Sequence, residues 1–217
     1  MEINDKNIIV DVGPNFREQV NASGIKDLHA VFITHGHYDH IAGLPELTCA
    51  GRVLKHSIEV FASAETMGEM KECHRFMFKS SSEAGMDELK WVEIPQFGEF
   101  DVLGLNFQTF VLPHRNLMSS GFRHKNFAYI TDWQQMSDET LKYLHELDLL
   151  LIECNNGVDE RENGHSNLAK VKAVVEAVKP KKVVLCHISA RVDHDEFSAL
   201  LPDNMEVAYD GMVLEVD

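Results

Sequence analysis

The sequence predicts an α/β fold in which two mixed β-sheets pack together and helices lie outside them. Three observations carry that prediction. Nine short apolar or alternating runs recur along the chain, most of them rich in β-branched and aromatic residues. Helical patterning is confined to a few segments, and the clearest come late. Strand spacing is mixed from the start, which argues against a regular βαβ wheel and for two sheets in contact. With 217 residues, 44% of them apolar, the chain can bury a substantial core, and one domain over 1–217 is expected.

Taken in order, Ile8 to Val12 reads as the first strand, and Gly13-Pro14 breaks it before an amphipathic segment from Asn15 to Ala22. Strands are then expected at His29 to Thr34, Ile58 to Ala62, Trp91 to Ile94, Leu105 to Leu112 and Phe127 to Thr131. Three more follow at Asp148 to Ile152, Lys182 to Cys186 and Met205 to Tyr209. The helical patterns are Ala64 to Lys79, Ser137 to Glu146 and Leu168 to Val178. Ser137 and Asn167 offer N-caps for the last two, and Pro180 ends the third. Lys79 to Glu88, with three serines and a glycine, reads as a surface loop, and no repeat or domain linker is evident.

Twenty basic against thirty-five acidic side chains give a net charge of −15, so the general field repels polyanions. Small anionic substrates are not excluded, because bound divalent ions reverse the sign locally. Cys49, Cys73, Cys154 and Cys186 are scattered without a Cys-x-x-Cys pair, so reduced and mostly buried thiols are expected. No basic start with an apolar core and cleavage site appears, and no apolar run nears the roughly 18 residues of a membrane span. A cytoplasmic location, with no membrane partner, follows by default.

The chemistry concentrates in Thr34 to Leu44, read as THGHYDHIAGL, which sets His35, His37, Asp39 and His40 within six residues straight after the apolar run Ala30 to Ile33. Side chains alternate faces in a strand. Once the chain turns at Gly36, a His-x-His pair converges on one cation while Asp-His two residues on reaches a neighbouring one. Surface histidines in a polar loop are the bland alternative, and the density of metal-capable groups argues against it.

Three more potential ligands stand at strand ends. Leu105 to Leu112 runs into His114, Phe127 to Thr131 into Asp132, and Lys182 to Cys186 into His187. Alone, each reads as a turn cap or an ordinary hydrogen-bonding histidine. With the loop they make five His and two Asp, a set that suits two metals about 3.5 to 4 Å apart with one carboxylate shared.

The order of these motifs resembles the metallo-β-lactamase superfamily: an early Asp (Asp11), then THGHYDH, His114, Asp132 and His187. That resemblance implies a four-layer αββα metallo-β-lactamase sandwich with outer helices. It assigns His35, His37, His114 and Asp132 to a first metal and Asp39, His40, Asp132 and His187 to a second. It makes Asp11 a residue that steadies the metal loop by hydrogen bonds rather than a ligand. Within the superfamily IVDVGPNFREQV, NFAYITD, GHSNL, VVLCHIS and the closing LPDNMEVAYDGMVLEV are similar to phosphodiesterases related to phosphoribosyl 1,2-cyclic phosphate hydrolases, with tRNA 3′-processing nucleases as more distant cousins. Members of that subgroup usually start with an extra strand and a cysteine-bearing loop that shares a structural zinc with a late His. This chain has neither that leader nor the His, with Ala190 at the matching place, so no structural zinc is expected.

The implied function is a metal-dependent hydrolase, a phosphodiesterase acting on small or cyclic phosphodiesters with two divalent ions, zinc or manganese with iron as a further option, that share a bridging hydroxide. Asp39 would orient the nucleophile while holding the second metal. His165, in GHSN before a helix, matches a His thought to help the leaving oxygen depart, and a solvated loop histidine is the competing reading. Arg115, Arg123 and Lys125 read equally as phosphate contacts or as a solvated basic loop. His29, His56, His74, His124, His145 and His194 read as structural or surface residues. A nuclease acting on RNA or DNA is the alternative, although only 17 residues separate His114 from Asp132, too few for a tRNA-gripping arm there. Hydrolysis of another bond (thioester or lactam) or a mononuclear iron oxidoreductase is a further one, with His37 speaking against the flavodiiron branch, which usually has Glu there. Large nucleic acids are disfavoured partners; a homodimer is common in such folds, but no interface signal appears in the sequence.

Overall fold

The computed structural model describes residues 1–78 and 88–216. The chain forms two compact units, Met1–Pro95 and Gln96–Asp217, each built on its own sheet. The loop expected at Lys79 to Glu88 lies, apart from Glu88, outside the described residues.

In the first unit β1 (Glu2–Ile3), β2 (Lys6–Val10), β3 (Ala30–Phe32), β4 (Ile58–Ser63) and β5 (Leu89–Ile94) lie in sequence order. β1 is antiparallel to β2, and the remaining neighbours are parallel. Between the strands run α1 (Phe16–Ser23), α2 (Tyr38–Ile41), α3 (Leu44–Leu54), α4 (Ala64–Cys73) and a 3₁₀ turn at Arg75–Phe78. Each parallel crossover needs such a connection. Val31, Ile33, Val60 and Ala62 from β3, β4 and the residue after β3 join Leu44, Leu47, Met67 and Met70 of the helices in one buried cluster. Burying each such large side chain is worth about 1.5–3 kcal/mol.

The second unit carries β6 (Gly98–Val102), β7 (Leu105–His114), β8 (Leu117–His124), β9 (Phe127–Ile130), α5 (Asp138–Leu141), β10 (Leu149–Glu153), α6 (Leu168–Val178), β11 (Lys182–Cys186), α7 (His194–Ser198) and β12 (Met205–Val207). Its sheet runs β12-β11-β10-β9-β8-β7-β6, parallel from β12 to β9 and antiparallel from β9 to β6. Both sheets are therefore mixed, as expected. α6 buries Leu168, Val171, Val174 and Val178, the stripe of one helical face. Asn167 caps it by accepting from the Lys170 amide, and Lys179 leaves it in a left-handed turn before Pro180.

Several boundaries differ from expectation for local reasons. The first strand stops at Val10 because Asp11 turns into the left-handed region at φ 60°. The helix expected over Ser137 to Glu146 is helical only to Leu141, after which successive i→i+3 bonds tighten the chain while Leu144 stays buried. α4 ends at Cys73, and Phe78 beyond it stacks on Trp91 with ring centroids 4.2 Å apart. The thiols are free as expected but not mostly buried. Cys49 on the outer face of α3 and Cys73 in the last turn of α4 are exposed, Cys186 is half-buried, and only Cys154 is fully buried. Among the described residues no helix is long and apolar enough to cross a membrane.

Candidate metal centre

In the first unit the loop that carries the expected ligands follows β3 and enters α2. Asp11, just past β2, is its anchor: one carboxylate oxygen accepts the Thr34 N–H at 2.8 Å. The other accepts the Thr34 hydroxyl at 2.8 Å and His40 Nδ1–H at 2.6 Å. That bond leaves His40 Nε2 to face the Asp39 carboxylate, 3.4 Å away. The Thr34 hydroxyl, having given its hydrogen to Asp11, accepts from His35 Nδ1–H at 3.0 Å, and His35 Nε2 then faces His37 Nδ1 at 3.0 Å. His35 and His40 are buried, while the Asp39 side chain is 60% exposed, so one member of the set is open to a ligand from solution.

In the second unit Asp132 sits just beyond β9 in a left-handed turn at φ 49°, and His187 just beyond β11 at φ 52°. Such φ values cost a non-glycine residue about 1–2 kcal/mol. Asp11, Asp132 and His187 all adopt them at strand ends, where they turn a side chain off the sheet line. Asp132 is 1% exposed and receives the Thr131 hydroxyl at 2.6 Å. His114 Nε2 stands 3.6 Å from one of its oxygens and His187 Nε2 3.7 Å from the other. His114 Nδ1 donates to the Gly164 carbonyl at 2.7 Å, which turns Nε2 inward. Asn155 fixes His187 by donating to its carbonyl at 3.0 Å. His114, Asp132 and His165 form one group able to hold a cation, and Glu153, His165 and His187 another.

Glu153 is the site residue that the sequence reading missed. It ends β10 fully buried, and it accepts from His165 Nδ1 at 3.0 Å and from the Ser166 hydroxyl at 2.8 Å. The Ser166 amide also points at it. A carboxylate that closes the apolar run Leu149 to Ile152 was the available signal. His165 is thereby not a solvated loop histidine: its side chain is 13% exposed and tied to a buried acid. Arg123 is committed to the backbone carbonyls of Lys125 and Tyr143, and Arg115 to that of Asn163. His29 and His56 both approach Asp27, and His124 donates to the Asn106 carbonyl, all structural contacts.

The sequence pattern described as "Beta-lactamase superfamily domain" matches residues 6–188. The chain belongs to the metallo-β-lactamase superfamily. It is 28% identical over 98% of its length to an octanoyltransferase of Porphyromonas gingivalis, of which it spans 43%. With the exodeoxyribonuclease WalJ of Streptococcus pneumoniae it shares 25% identity over 76% of its length and 60% of that protein. The chain thus covers less than two thirds of these relatives. The crystal structure of a diphosphatase from the PhnP family superposes with a TM-score of 0.87 at 26% identity, covering 97% of this chain and 80% of that one. The short form of human tRNase Z superposes at 0.76 with 21% identity, covering 100% and 91%, a likeness of fold. This superfamily member therefore has the expected α/β fold and is similar to a PhnP-family protein, as the motifs implied. It carries His/Asp groups that could hold a metal ion.

Proposed function

We propose that the chain is a phosphodiesterase that cleaves small or cyclic phosphodiesters at a centre of two divalent cations. The observation that carries this reading is the buried Asp132 carboxylate with one imidazole nitrogen near each oxygen, at 3.6 and 3.7 Å. Both distances exceed a hydrogen bond and suit ligands that converge on cations, with the carboxylate shared between two of them.

The donor set fits. His35, His40 and His114 each have their second ring nitrogen bonded to a hydroxyl, carboxylate or carbonyl, the arrangement that orients a metal-bound imidazole. Imidazole with carboxylate suits zinc, manganese or iron. His35, His37, His114 and Asp132 would hold one ion and Asp39, His40, Asp132 and His187 the other. When bound, such a pair lowers the pKa of water toward about 7 and draws charge from phosphoryl oxygens.

The chain's own residues do the rest. Asp39, exposed beside His40, orients the attacking water. His165, with Nδ1 held by Glu153, turns Nε2 to the leaving oxygen and gives it a proton as the P–O bond breaks. Glu153 positions that ring and offsets its charge. The PhnP-family diphosphatase supports phosphorus as the reacting centre. The octanoyltransferase name weighs less, because more than half of that protein lies outside the match. A nuclease is the second reading, favoured by the WalJ and tRNase Z likenesses and opposed by the charge of −15.

The test is metal analysis of purified protein coupled to hydrolysis of bis(p-nitrophenyl) phosphate, cyclic nucleotides, phosphoribosyl cyclic phosphate and single-stranded RNA and DNA. Turnover of a small diester by protein holding two metals per chain is expected. Activity confined to the polynucleotides, with binding that weakens steeply as salt rises, would replace the leading reading with the second.

A further inference from the structure

Helix α4 reaches the ligand-bearing loop at two points. The Glu69 carboxylate lies against the backbone of Gly36, the residue between His35 and His37, and the Gly36 N–H favours its charged form. A Cβ on Gly36 would stand 2.3 Å from Glu69 Oε2 and 2.6 Å from Glu69 Cβ, so the loop lies directly on that side chain, and only glycine allows it. Just past the helix, His74 donates to the carbonyl of Ile41, the residue after His40. The four expected ligands at His35, His37, Asp39 and His40 thus lie between two backbone groups held by one helix.

Burial pushes Glu69 up and His74 down from their ordinary values, and in both cases the bond to the loop opposes that shift. Both side chains are half-buried and turned toward the loop. Asp11 holds the loop through Thr34 and the His40 ring. Neither contact touches the Gly36 peptide, whose orientation sets how the flanking imidazoles face each other.

We infer that α4 is a clamp for the metal-binding loop, with Glu69 and His74 as positioning residues that hold the His-x-His pair and the Asp-His pair in place before a cation arrives. The inference rests on the proposed function, in which those four side chains hold metal. In physical terms the clamp sets affinity by preorganisation: a loop already fixed at Gly36 and Ile41 loses less freedom when it binds.

The test compares Glu69→Met, of similar length without an acceptor, with Glu69→Gln, which keeps one oxygen. Zinc affinity is read by chelator competition, Gly36 amide exchange in metal-free protein by NMR, and melting of the metal-free protein alongside. Glu69→Met should bind zinc about 10- to 100-fold more weakly, the usual range for outer-shell partners, with faster Gly36 exchange and little change in melting. Glu69→Gln should recover most of the affinity, and His74→Phe should show a loss in the same direction as Glu69→Met. Wild-type affinity and Gly36 exchange in Glu69→Met overturn the clamp. So does an affinity loss that merely tracks a fall in melting temperature and is not recovered by glutamine. A wild-type chain that takes up no zinc sinks the proposed function instead, and Gly36 exchange then decides the clamp alone.

Discussion

Replacing His165 by alanine separates acid catalysis from metal holding. The imidazole donates Nδ1–H to Glu153 at 3.0 Å, and Glu153 keeps the Ser166 hydroxyl at 2.8 Å when the ring is gone. The carboxylate thus loses one partner of several, a cost of at most about 1.5–3 kcal/mol, and the variant should remain folded. Loss of a positioned general acid typically slows turnover by about 10²- to 10⁴-fold, or about 2.7–5.4 kcal/mol of barrier. The full loss should appear only where the departing oxygen needs a proton. The assay is kcat for His165→Ala on an alkyl phosphodiester and on bis(p-nitrophenyl) phosphate, whose leaving group departs as a stable phenolate, with metal content measured in parallel. A large drop on the alkyl ester, a small one on the aryl ester and unchanged metal content are expected. Equal drops on both esters would remove His165 as the acid, and loss of metal would make it a ligand.

Asp11→Ala removes the acceptor of the Thr34 amide, the Thr34 hydroxyl and His40 Nδ1, so metal affinity by chelator competition should fall about 10- to 100-fold while all seven proposed ligands remain; unchanged affinity contradicts the anchoring role. The Asp27 and His56 pair predicts a pH window for stability. His56 holds Asp27 below 3.8, and Asp27 raises His56 above 6.5, so the contribution is complete between those values. It is lost in acid as Asp27 protonates at its lowered pKa, and in base as His56 deprotonates at its raised one. With side chains 37% and 47% exposed the effect is small and salt-sensitive. Urea midpoints of wild type and His56→Gln should converge above pH 6.5, and a gap that widens there refutes the assignment. Thiol titration of native protein should modify the exposed Cys49 and Cys73 quickly. Cys154 and Cys186 should resist, since burial pushes the Cys154 thiol up to about 12, and burial together with the Glu153 and Asp132 carboxylates raises the half-buried Cys186 thiol as well; four fast thiols would contradict the packing.

What the sequence revealed depended on how directly each residue's job shows in its own neighbourhood. α6 and β11 were readable to the residue because a capping Asn167, a helical apolar stripe and a stopping Pro180 all lie within the segment. β8 was not, because its buried middle carries Ser119, Ser120 and Gly121 where apolar residues were awaited. Ser119 donates to the Thr131 carbonyl, and a Cβ on Gly121 would stand 2.2 Å from the Phe110 ring. α3 was missed for a similar reason: it begins inside the metal motif, and Thr48 and Gly51 interrupt its apolar stripe. The candidate ligands could be named from their spacing and their place at strand ends. Their supports could not, since Glu69 acts on a backbone amide 33 positions away and Glu153 looks like the end of a strand. The left-handed turns at Asp11, Asp132 and His187 fall on residue types that enter that region more readily than most, but no glycine or turn motif at those positions marks them in the sequence.

In the proposed centre seven side chains remote in sequence gather around a pair of cations with Asp132 between them. Anomalous diffraction at the zinc edge from crystals of the zinc-loaded chain tests it in a single experiment. Two peaks about 3.5 to 4 Å apart are expected, one beside His114 and the other beside His187, each next to an Asp132 oxygen. A single peak, or peaks remote from Asp132, would contradict it.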